Sequence, residues 1–516
     1  AWHRAIARAL GVEERAVRAF QCVRRSLDAR RKPKLDWVAD FWVELDAPPK
    51  RLDRAKICDP SQHPLNIPTP AELDRRAEGL SVVIVGAGPA GLFAALALAE
   101  AGARVVVLER GKPIEARMRD IGWLRSRGVL DPESNLCFGE GGAGAYTDGK
   151  LYTRIKHPFV RWVWRRFVDF GAPEQILVDA HPHLGTDRLV RLVRRMRAHL
   201  LALGVELHFQ TRMDALVVHD GRVVGVRAGG REFLADAVSL GVGHSARDTI
   251  EMLARAGVAL EPKPFAVGMR AEHPQALINA AQYGDPRWAE IVGAAEYRLT
   301  HQVPDPVRGQ RGVYSFCMCP GGLVVPAATE PERMVVNGMS NAKRAGPWAN
   351  AGIVVQVFPE DWARWGCGEG ALSGIAFQRA LEEEAYRLAG GGYRAPAMRV
   401  LDFVRRKATG ELAPTRFKPG VAAADLWALW PEELGEALRE GLIAFGRKIK
   451  GFVSRDANLY AVESRTSSPV RIVRGDDMQS VSTPGLYPVG EGAGYAGGIT
   501  SAAVDGLKAA AALLAR

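Results

Sequence analysis

The sequence predicts an α/β protein in which a main domain with a parallel sheet is split by an inserted α+β domain and preceded by a small α+β module. Two distant segments, 82–109 and 485–514, share one pattern: an apolar strand, a glycine turn and a helix of small residues. Such units are typical of parallel sheets covered by helices. Residues 265–450 mix strand and helix patterns without a repeat.

The length of 516 residues predicts several domains. We place them at 1–76 (N-terminal module and a proline-rich linker), 77–260 (first part of the main domain), 261–455 (the insert) and 456–516 (C-terminal part of the main domain). No apolar run approaches the roughly 18 residues that span a bilayer, and the opening Ala-Trp-His-Arg lacks the apolar segment of a secretory signal. We therefore expect no membrane insertion.

The formal net charge is +11, and basic residues cluster at Arg24–Lys34 and Arg161–Arg166. Such charge indicates a surface for nucleic acid, acidic lipid or an anionic cofactor, or simply a solvated arginine-rich face. No nucleic-acid motif accompanies the charge, so the solvated face is the favoured interpretation.

The six cysteines do not form a disulfide framework in a chain of this length. No pair has the C-x-x-C spacing of zinc sites, so the sequence predicts no metal site. A reducing, cytoplasmic compartment fits this cysteine usage best.

The elements follow from local patterns. In the N-terminal module we expect a helix at Glu13–Arg18 and strands at Phe20–Arg25 and Trp37–Leu45. The main domain then begins with a strand at Val82–Val85, a helix from Ala90 to Ala101 and a strand at Val105–Leu108. The later predictions are a helix at 186–203, a strand at 205–209, a meander whose last strand is Glu232–Leu240, and helices at Phe377–Leu388, Pro431–Phe445 and Thr500–Leu514.

A glycine motif, G-x-G-x-x-G, joins the first of these parallel strands to its helix. Gly86 allows the tight turn, Gly88 lets the backbone approach a diphosphate, and Gly91 lets helix and strand pack closely. The helix N-terminus then offers free N–H groups to the phosphates. Glu109 ends the second strand, where a carboxylate accepts hydrogen bonds from ribose hydroxyls. The unit predicts a dinucleotide site with these contacts: Gly86, Gly88, Pro89, Ala90, Gly91, Glu109 and Arg110.

The C-terminal segment decides between NAD and FAD. Gly485–Gly492 is a short strand running into an acidic turn, and Gly498 precedes the last helix. The segment resembles one in glutathione-reductase-like flavoproteins, where a turn carboxylate holds the ribityl chain and a helix N-terminus faces the flavin. Glu491 stands where that carboxylate is more often Asp. The segment therefore predicts FAD, with Gly490, Glu491, Gly498 and Ile499 in contact with it.

A glycine-rich loop, residues 138–150, lies between these elements. Its glycine density suits a backbone that passes close to a large planar ligand, or a flexible surface loop, and its Phe138 and Tyr146 favour the first. Lys150 is expected to neutralise phosphate or flavin charge. The contacts predicted for this loop and for two later positions are Gly139, Gly141, Gly142, Gly144, Asp148, Gly149, Lys150, Met213 and Gly243.

A set of stretches spread along the chain carries a family resemblance: 24–30, 86–91, 138–152, 183–187, 243–248, 263–268, 316–322, 337–340, 463–471 and 490–498. Together they resemble the bacterial and plastid FAD-dependent dehydrogenases of unassigned function, within the glutathione-reductase-type flavoproteins. The resemblance covers nearly the whole chain. It implies bound FAD, a split FAD-binding Rossmann-like domain and an inserted substrate domain, but no substrate. The sequence departs from the family at Val242, where a threonine near the cofactor is usual.

Two interpretations stay open for Cys317 and Cys319. Their C-x-C spacing suits a redox dithiol that exchanges electrons with flavin, because a disulfide in so small a ring is strained and oxidising. Two buried, apolar-like thiols explain the pattern equally simply, and this is the favoured interpretation.

Other candidates for catalysis are His244 and Arg247, which follow a strand end, and Arg465, which lies between Glu463 and Arg471. His244 is a candidate proton donor near neutral pH, or a loop histidine with a structural partner. Arg465 is a candidate for holding a substrate carboxylate, or an anchor for its own loop.

These observations predict an FAD-dependent oxidoreductase that passes a hydride between FAD and an organic substrate. The chain has one dinucleotide motif, so electrons come from the substrate, from transiently bound NAD(P)H or from a protein partner. The alternatives are a flavin monooxygenase, an RNA-associated or RNA-modifying flavoprotein, and a redox-silent structural flavoprotein.

Overall fold

The computed structural model describes residues 2–53, 55–408 and 410–516. We number strands and helices in chain order. The strands are β1 Val17–Asp28, β2 Asp36–Leu45, β3 Ser81–Val85, β4 Arg104–Leu108, β5 Glu206–His208, β6 Met213–His219, β7 Arg222–Ala228, β8 Arg231–Leu234, β9 Ala237–Leu240, β10 Leu260–Pro262, β11 Phe265–Pro274, β12 Thr300–Asp305, β13 Gly309–Cys319, β14 Leu323–Pro326, β15 Val336–Met339, β16 Trp348–Val357, β17 Ala395–Arg399, β18 Val421–Ala423, β19 Asn458–Glu463, β20 Val470–Ile472 and β21 Leu486–Pro488. The helices are α1 Trp2–Leu10, α2 Pro89–Glu100, α3 Ile114–Arg127, α4 Phe159–Asp169, α5 Thr186–Ala202, α6 Arg247–Arg255, α7 Gln275–Tyr283, α8 Trp288–Val292, α9 Pro359–Arg364, α10 Ser373–Leu388, α11 Val400–Arg405, α12 Glu432–Lys448 and α13 Ile499–Leu514.

A parallel sheet of order β21-β9-β3-β4-β5 forms the centre of the main domain, which confirms the predicted α/β class. The two helices of small residues, α2 and α13, pack against each other beside it. They approach closely because their contact lacks side-chain bulk: a Cβ on Gly506 would lie 2.0 Å from the Ala90 carbonyl oxygen. Two helices that are far apart in the sequence thus share one core.

The predicted single strand Glu232–Leu240 is wrong, because the structure divides it into β8 and β9. β8 completes an antiparallel sheet with β6 and β7, whereas β9 joins the parallel sheet. Asp236, between them, accepts hydrogen bonds from the Ser81 backbone N–H at 2.8 Å and hydroxyl at 2.6 Å. This contact fixes the point at which the chain passes from one sheet to the other.

The region from β11 to β19, called the insert from here on, builds a seven-stranded sheet of order β12-β13-β16-β11-β19-β17-β18. Its pairs are antiparallel except β17 with β18. Helices α10 and α12 contribute to its core, in which Trp362, Phe403 and Phe445 are fully buried. This sheet forms the second wall of the site described below.

The N-terminal module is a hairpin of β1 and β2 preceded by α1. The helix predicted at Glu13–Arg18 is wrong: Glu14–Ala16 is one 3₁₀ turn, and β1 begins at Val17. The helix lies earlier because Ile6 and Leu10 of α1 pack in one small core with Val17.

Several side chains of the basic cluster 24–34 have partners within the protein. Arg25 pairs with Asp179 at 2.5 Å, Arg30 with Asp28 at 2.6 Å, and Lys32 donates to the Ala281 carbonyl at 2.6 Å. Among the described helices, none is both long and apolar enough to cross a membrane.

Candidate functional site

A cleft of about 1070 Å³ opens at the carboxyl ends of β3, β4 and β9, where parallel sheets commonly bind ligands. One wall is made by the glycine turn after β3, the loop 138–150, and the segment 490–502. The other wall comes from the seven-stranded sheet, chiefly from residues 314–318 of β13. The cleft thus lies between the parallel sheet and the insert.

The glycine turn has the geometry that its sequence predicts. Gly86 has a φ of +102°, and a Cβ there would lie 2.4 Å from the Gly241 carbonyl oxygen. A Cβ on Gly91 would lie 1.9 Å from the Gly86 carbonyl oxygen, so helix and strand meet with no room for a methyl group. A Cβ on Gly88 would instead face the cleft, since its nearest protein atom is Gly142 Cα at 3.8 Å.

Two helix N-termini face the cleft. α2 begins after Gly88 and α13 after Gly498, and no side chain within the described part of the chain caps either helix. The first residues of both helices line the cleft. Uncapped N–H groups and the positive ends of two helix dipoles favour an anionic ligand here.

Glu109 directly follows β4 and is buried. Its carboxylate accepts hydrogen bonds from the backbone N–H groups of Ala87 at 2.8 Å and of Gly111 and Gly139 at 2.9 Å. The carboxylate therefore ties the glycine turn to the glycine-rich loop while it lines the cleft.

Arg110, the next residue, lies over the Phe138 ring at 4.0 Å from its centroid. Its guanidinium pairs with Glu133 at 2.8 Å and Asp248 at 2.9 Å. Arg110 therefore reaches the cleft as a cation whose orientation is fixed by two carboxylates.

Arg117 of α3 organises the glycine-rich loop, and sequence reasoning missed it. The side chain is fully buried, and its guanidinium donates to five carbonyl oxygens at 2.7 to 3.2 Å, those of Asn135, Leu136, Gly139, Glu140 and Gly142. A signal was present: Arg117 falls on the buried face of α3 that carries Ile114, Ile121 and Leu124. The loop is thus a rigid packed wall rather than a flexible surface loop.

Asp148 and Lys150 join this loop to the insert. Asp148 is 1% exposed, pairs with Lys150 at 2.8 Å, and accepts from Ser340 and from Arg344 Nε at 2.9 Å. Lys150 also donates to the Met318 carbonyl of β13. The nearby cations hold the pKa of Asp148 below its usual range even though burial alone would raise it.

The acidic turn Gly490–Gly492 belongs to the same wall of the cleft as the glycine turn after β3. The Gly490 N–H donates to Asp505 at 2.7 Å, and Arg474 holds that carboxylate through two hydrogen bonds at 2.9 and 2.6 Å. Burial raises the pKa of Glu491 to about 7, although Lys263 nearby acts to lower it. A carboxyl group that titrates near neutral pH therefore lines the cleft.

His244 lines the cleft, and its Nδ1 lies 2.8 Å from the Ser245 hydroxyl. Burial, together with Arg465 and Arg247, lowers the pKa of His244 to about 4. The imidazole is therefore neutral at pH 7.

The two arginines beside His244 converge on one carboxylate, that of Glu382 on α10. Arg465 donates to it at 3.0 and 2.8 Å, and Arg247 at 2.9 and 2.7 Å. Arg465 still reaches the cleft, whereas Arg247 is 2% exposed and is not among the described residues that line it. Glu463 pairs with Arg270 at 2.7 Å and Arg471 with Glu261 at 2.8 Å.

Cys317 lines the cleft and Cys319 is fully buried behind it. Of the predicted cofactor contacts, all line the cleft except Gly91 and Gly141, which pack beneath it; those that line it are Gly86, Gly88, Pro89, Ala90, Glu109, Arg110, Gly139, Gly142, Gly144, Asp148, Gly149, Lys150, Met213, Gly243, Gly490, Glu491, Gly498 and Ile499.

The wall formed by the insert carries side chains that were not predicted as site residues: Tyr297, Arg298, Tyr314, Phe316, Asn337 and Gln356. Phe316 and Asn337 lie in the family stretches 316–322 and 337–340. No local motif marks the other four, because separate parts of the chain bring them together. The Tyr297 hydroxyl is buried and has no hydrogen-bond partner among the described residues.

Cations outnumber anions along the cleft. The basic side chains are Arg110, Lys150, Arg154, Arg212, Lys263, Arg298 and Arg465, against the acidic Glu109, Asp148 and Glu491. Such a balance attracts an anionic ligand.

These residues fit FAD. The glycine turn, two uncapped helix N-termini and excess positive charge suit a diphosphate. Glu109 suits the hydroxyl groups of the adenosine ribose, and Glu491 suits those of the ribityl chain. The cleft volume of about 1070 Å³ lies just above the range of ~300–1,000 Å³ that is typical of ligand pockets.

Comparison with known proteins agrees with this geometry. Residues 264–466 match the family described as FAD-dependent protein, C-terminal domain-like, and residues 81–172 match FAD dependent oxidoreductase. An uncharacterized protein of Clostridium beijerinckii is 41% identical over 510 residues, which cover 98% of this chain and 94% of that protein.

Similar solved structures share little sequence with the chain. CtdE in complex with FAD is 12% identical over 84% of this chain and 82% of that chain, with a TM-score of 0.30. A geranylgeranyl bacteriochlorophyll reductase-like protein of Thermoplasma acidophilum is 11% identical over 84% and 78%, with a TM-score of 0.36.

Proposed function

Since the chain belongs to the family of FAD-dependent proteins whose C-terminal domain matches residues 264–466, we propose that it passes a hydride between FAD and a small organic substrate. One observation carries the proposal. A single cleft joins the dinucleotide motif and α13 on one wall to the aromatic and polar side chains of the insert on the other. A substrate in that cleft lies against the cofactor.

The main domain holds the cofactor in this proposal. The turn Gly86–Ala90 and the N-terminus of α2 receive the diphosphate, and Glu109 receives the adenosine ribose. The N-terminus of α13 faces the other end of the cofactor, where a positive dipole stabilises negative charge. FAD, when bound, supplies the two-electron chemistry.

The insert orients the substrate. Tyr297, Tyr314 and Phe316 present a largely apolar surface, and Arg298 lies at the edge of the cleft over Tyr152 at 5.9 Å. When a hydride is transferred to or from a polar group of a substrate, a proton is transferred to or from the substrate as well. Glu491 suits that proton exchange, because a carboxyl group with a pKa of about 7 both gives and takes protons at neutral pH.

The test is the absorption spectrum of the purified protein, followed without oxygen as NADH and then NADPH are added. Flavin bands in the protein support the proposal. Bleaching by either nucleotide supports a pyridine-nucleotide-linked reductase, and bands that persist direct the search for a donor to organic substrates or a protein partner. A protein that contains no flavin and binds no added FAD contradicts the proposal.

A further inference from the structure

A β-bulge in β13 shapes the edge of the cleft. Phe316 pairs with Gly352 and Cys319 pairs with Asn350, so three steps along β13 match two along β16. Cys317 within the bulge has a φ of +43°, which is uncommon for any residue except glycine. Bulges re-aim side chains, and this one turns Cys317 into the cleft and leaves Cys319 directly behind it.

Two cations from different parts of the fold hold the bulge. Lys150 of the glycine-rich loop donates to the Met318 carbonyl, and Arg270 of β11 donates to the Cys317 carbonyl at 3.2 Å. Lys150 also pairs with Asp148 at 2.8 Å, and Arg270 pairs with Glu463 at 2.7 Å. The main domain and the insert therefore both fix the backbone that carries the two sulfurs.

The two thiols differ in character. The Cys319 thiol donates to the Cys317 carbonyl oxygen at 3.3 Å, so the two side chains lie side by side on the bulge. The neighbouring Cys319 side chain, with Lys150 and Arg270, lowers the pKa of Cys317 to about 5 despite burial. The Cys317 side chain, together with burial, raises the pKa of Cys319. A thiolate beside a protonated thiol is the arrangement that thiol–disulfide exchange requires, because the thiolate attacks and the second sulfur resolves.

A buried hydroxyl without a partner lies beside this pair. Tyr297 is 5% exposed and lines the cleft, close to Cys319 and Arg270, yet its hydroxyl has no partner among the described residues. Buried polar groups are almost always satisfied. The hydroxyl is therefore available to a ligand that reaches the bulge.

We propose that Cys317 and Cys319 are a redox-active dithiol and that the substrate class of the cleft is a disulfide. The Cys317 thiolate attacks one substrate sulfur, the substrate S–S bond breaks, and one half leaves as a thiolate. Cys319 then gives up its proton and attacks Cys317, the mixed disulfide breaks, and the second half leaves as a thiol. The pair has lost two electrons, which the substrate has gained.

The reverse exchange with an external dithiol restores the pair with balanced atoms and electrons. In the working protein the inference rests on the proposed function, which provides two electrons from NAD(P)H or an organic donor by way of FAD. The exchange itself does not need the flavin. Its test therefore stands apart from the test of the proposed function.

The protein, with its FAD as purified, is incubated with glutathione disulfide or with dithiothreitol, blocked with N-ethylmaleimide and digested with trypsin. The tryptic peptide 312–333 contains Cys317 and Cys319 and no other cysteine. We expect no label on this peptide after glutathione disulfide and two labels after dithiothreitol. The Cys58→Ser variant, changed in the loop between β2 and β3, is expected to give the same result.

A second variant traps the intermediate. Cys319→Ser is expected to retain glutathione on Cys317, because the resolving sulfur is missing, whereas Cys317→Ser retains none. The flavin absorption of each variant reports whether it folds. Two labels under both conditions in the unchanged protein, or a flavin-containing Cys319→Ser variant that retains no glutathione, would overturn the inference. A reactive pair in a protein that binds no FAD would contradict the proposed function alone.

Discussion

Arg465 and Glu382 form a buried ion pair through two hydrogen bonds, Nε to Oε1 at 3.0 Å and Nη2 to Oε2 at 2.8 Å. Arg247 donates to the same carboxylate. Helix α10 of the insert is thereby joined to α6 and to the loop after β19. We propose that both arginines are positioning residues, which set the distance between the two walls of the cleft.

Replacing the shared carboxylate tests that role. Glu382→Gln leaves Arg465 buried without a counter-charge, so we expect the free energy of unfolding to fall by about 3–5 kcal/mol in urea denaturation. Glu384→Gln on the same helix is the control, because its partner Arg387 is largely exposed and surface pairs contribute little. Equal effects of the two substitutions would rule out the positioning role.

Two glycines of the motif have different roles: Gly91 serves packing, and Gly88 serves ligand binding. Gly91→Ala places a methyl group against the Gly86 carbonyl oxygen and is expected to destabilise the protein by about 3 kcal/mol. Gly88→Ala points its methyl group into the cleft, so we expect normal stability and at least a ~10-fold weaker affinity for FAD. Thermal unfolding and FAD titration of the apoprotein measure the two effects.

Gly122→Ala is the control for both glycine variants. Gly122 lies within α3 with nothing near the position of an added Cβ, so alanine there should leave FAD affinity unchanged and stability the same or higher. A Gly88→Ala variant that binds FAD as well as Gly122→Ala does would contradict the placement of the diphosphate.

Arg117 holds the loop that forms one wall of the cleft. Arg117→Lys keeps the charge but loses most of the carbonyl partners, so we expect a loss of about 3 kcal/mol in stability and weaker FAD binding. Arg119→Lys, two positions along the same helix on its exposed side, provides the comparison. Unchanged FAD affinity in Arg117→Lys would show that the loop does not contact the cofactor.

The elements that were predicted correctly are those whose bounds depend on residues close together in the sequence. β3, α2 and β4 lie within one residue of their predicted bounds, since apolar runs and the glycine turn specify them locally. The division of Glu232–Leu240 depends on a contact between Asp236 and Ser81, which are 155 positions apart. No local pattern contains that information.

The same reasoning applies to the site. The glycine turn and Glu491 were found because each belongs to a contiguous motif. The contacts of Arg117 and the pairing of Arg465 with Glu382 depend on segments brought together by the fold. The domain boundaries and the chemical roles of His244, Cys317 and Cys319 stay predictions.

The raised pKa of Glu491 predicts a pH dependence of stability. In the cofactor-free protein its folded pKa, about 7, lies above the ordinary value of 4.5, so its contribution is favourable at low pH and is lost as pH rises through 7. Glu491→Gln should therefore stabilise the apoprotein at pH 8 by about 3 kcal/mol and have a much smaller effect at pH 5. Thermal unfolding of apoprotein at both pH values measures this, and a gain that is equal at pH 5 and pH 8 would exclude burial as the cause.

In the proposed dithiol, Lys150 favours the thiolate form of Cys317. Lys150→Gln removes a cation that favours the thiolate, so the midpoint of Cys317 alkylation by iodoacetamide should move upward by ~1 pH unit. Alkylation is followed on peptide 312–333 in protein whose flavin absorption shows that it is folded. Lys343→Gln, on an exposed segment, should leave the midpoint unchanged. A midpoint unaffected by Lys150→Gln would mean that the lysine acts only on Asp148 and the β13 backbone.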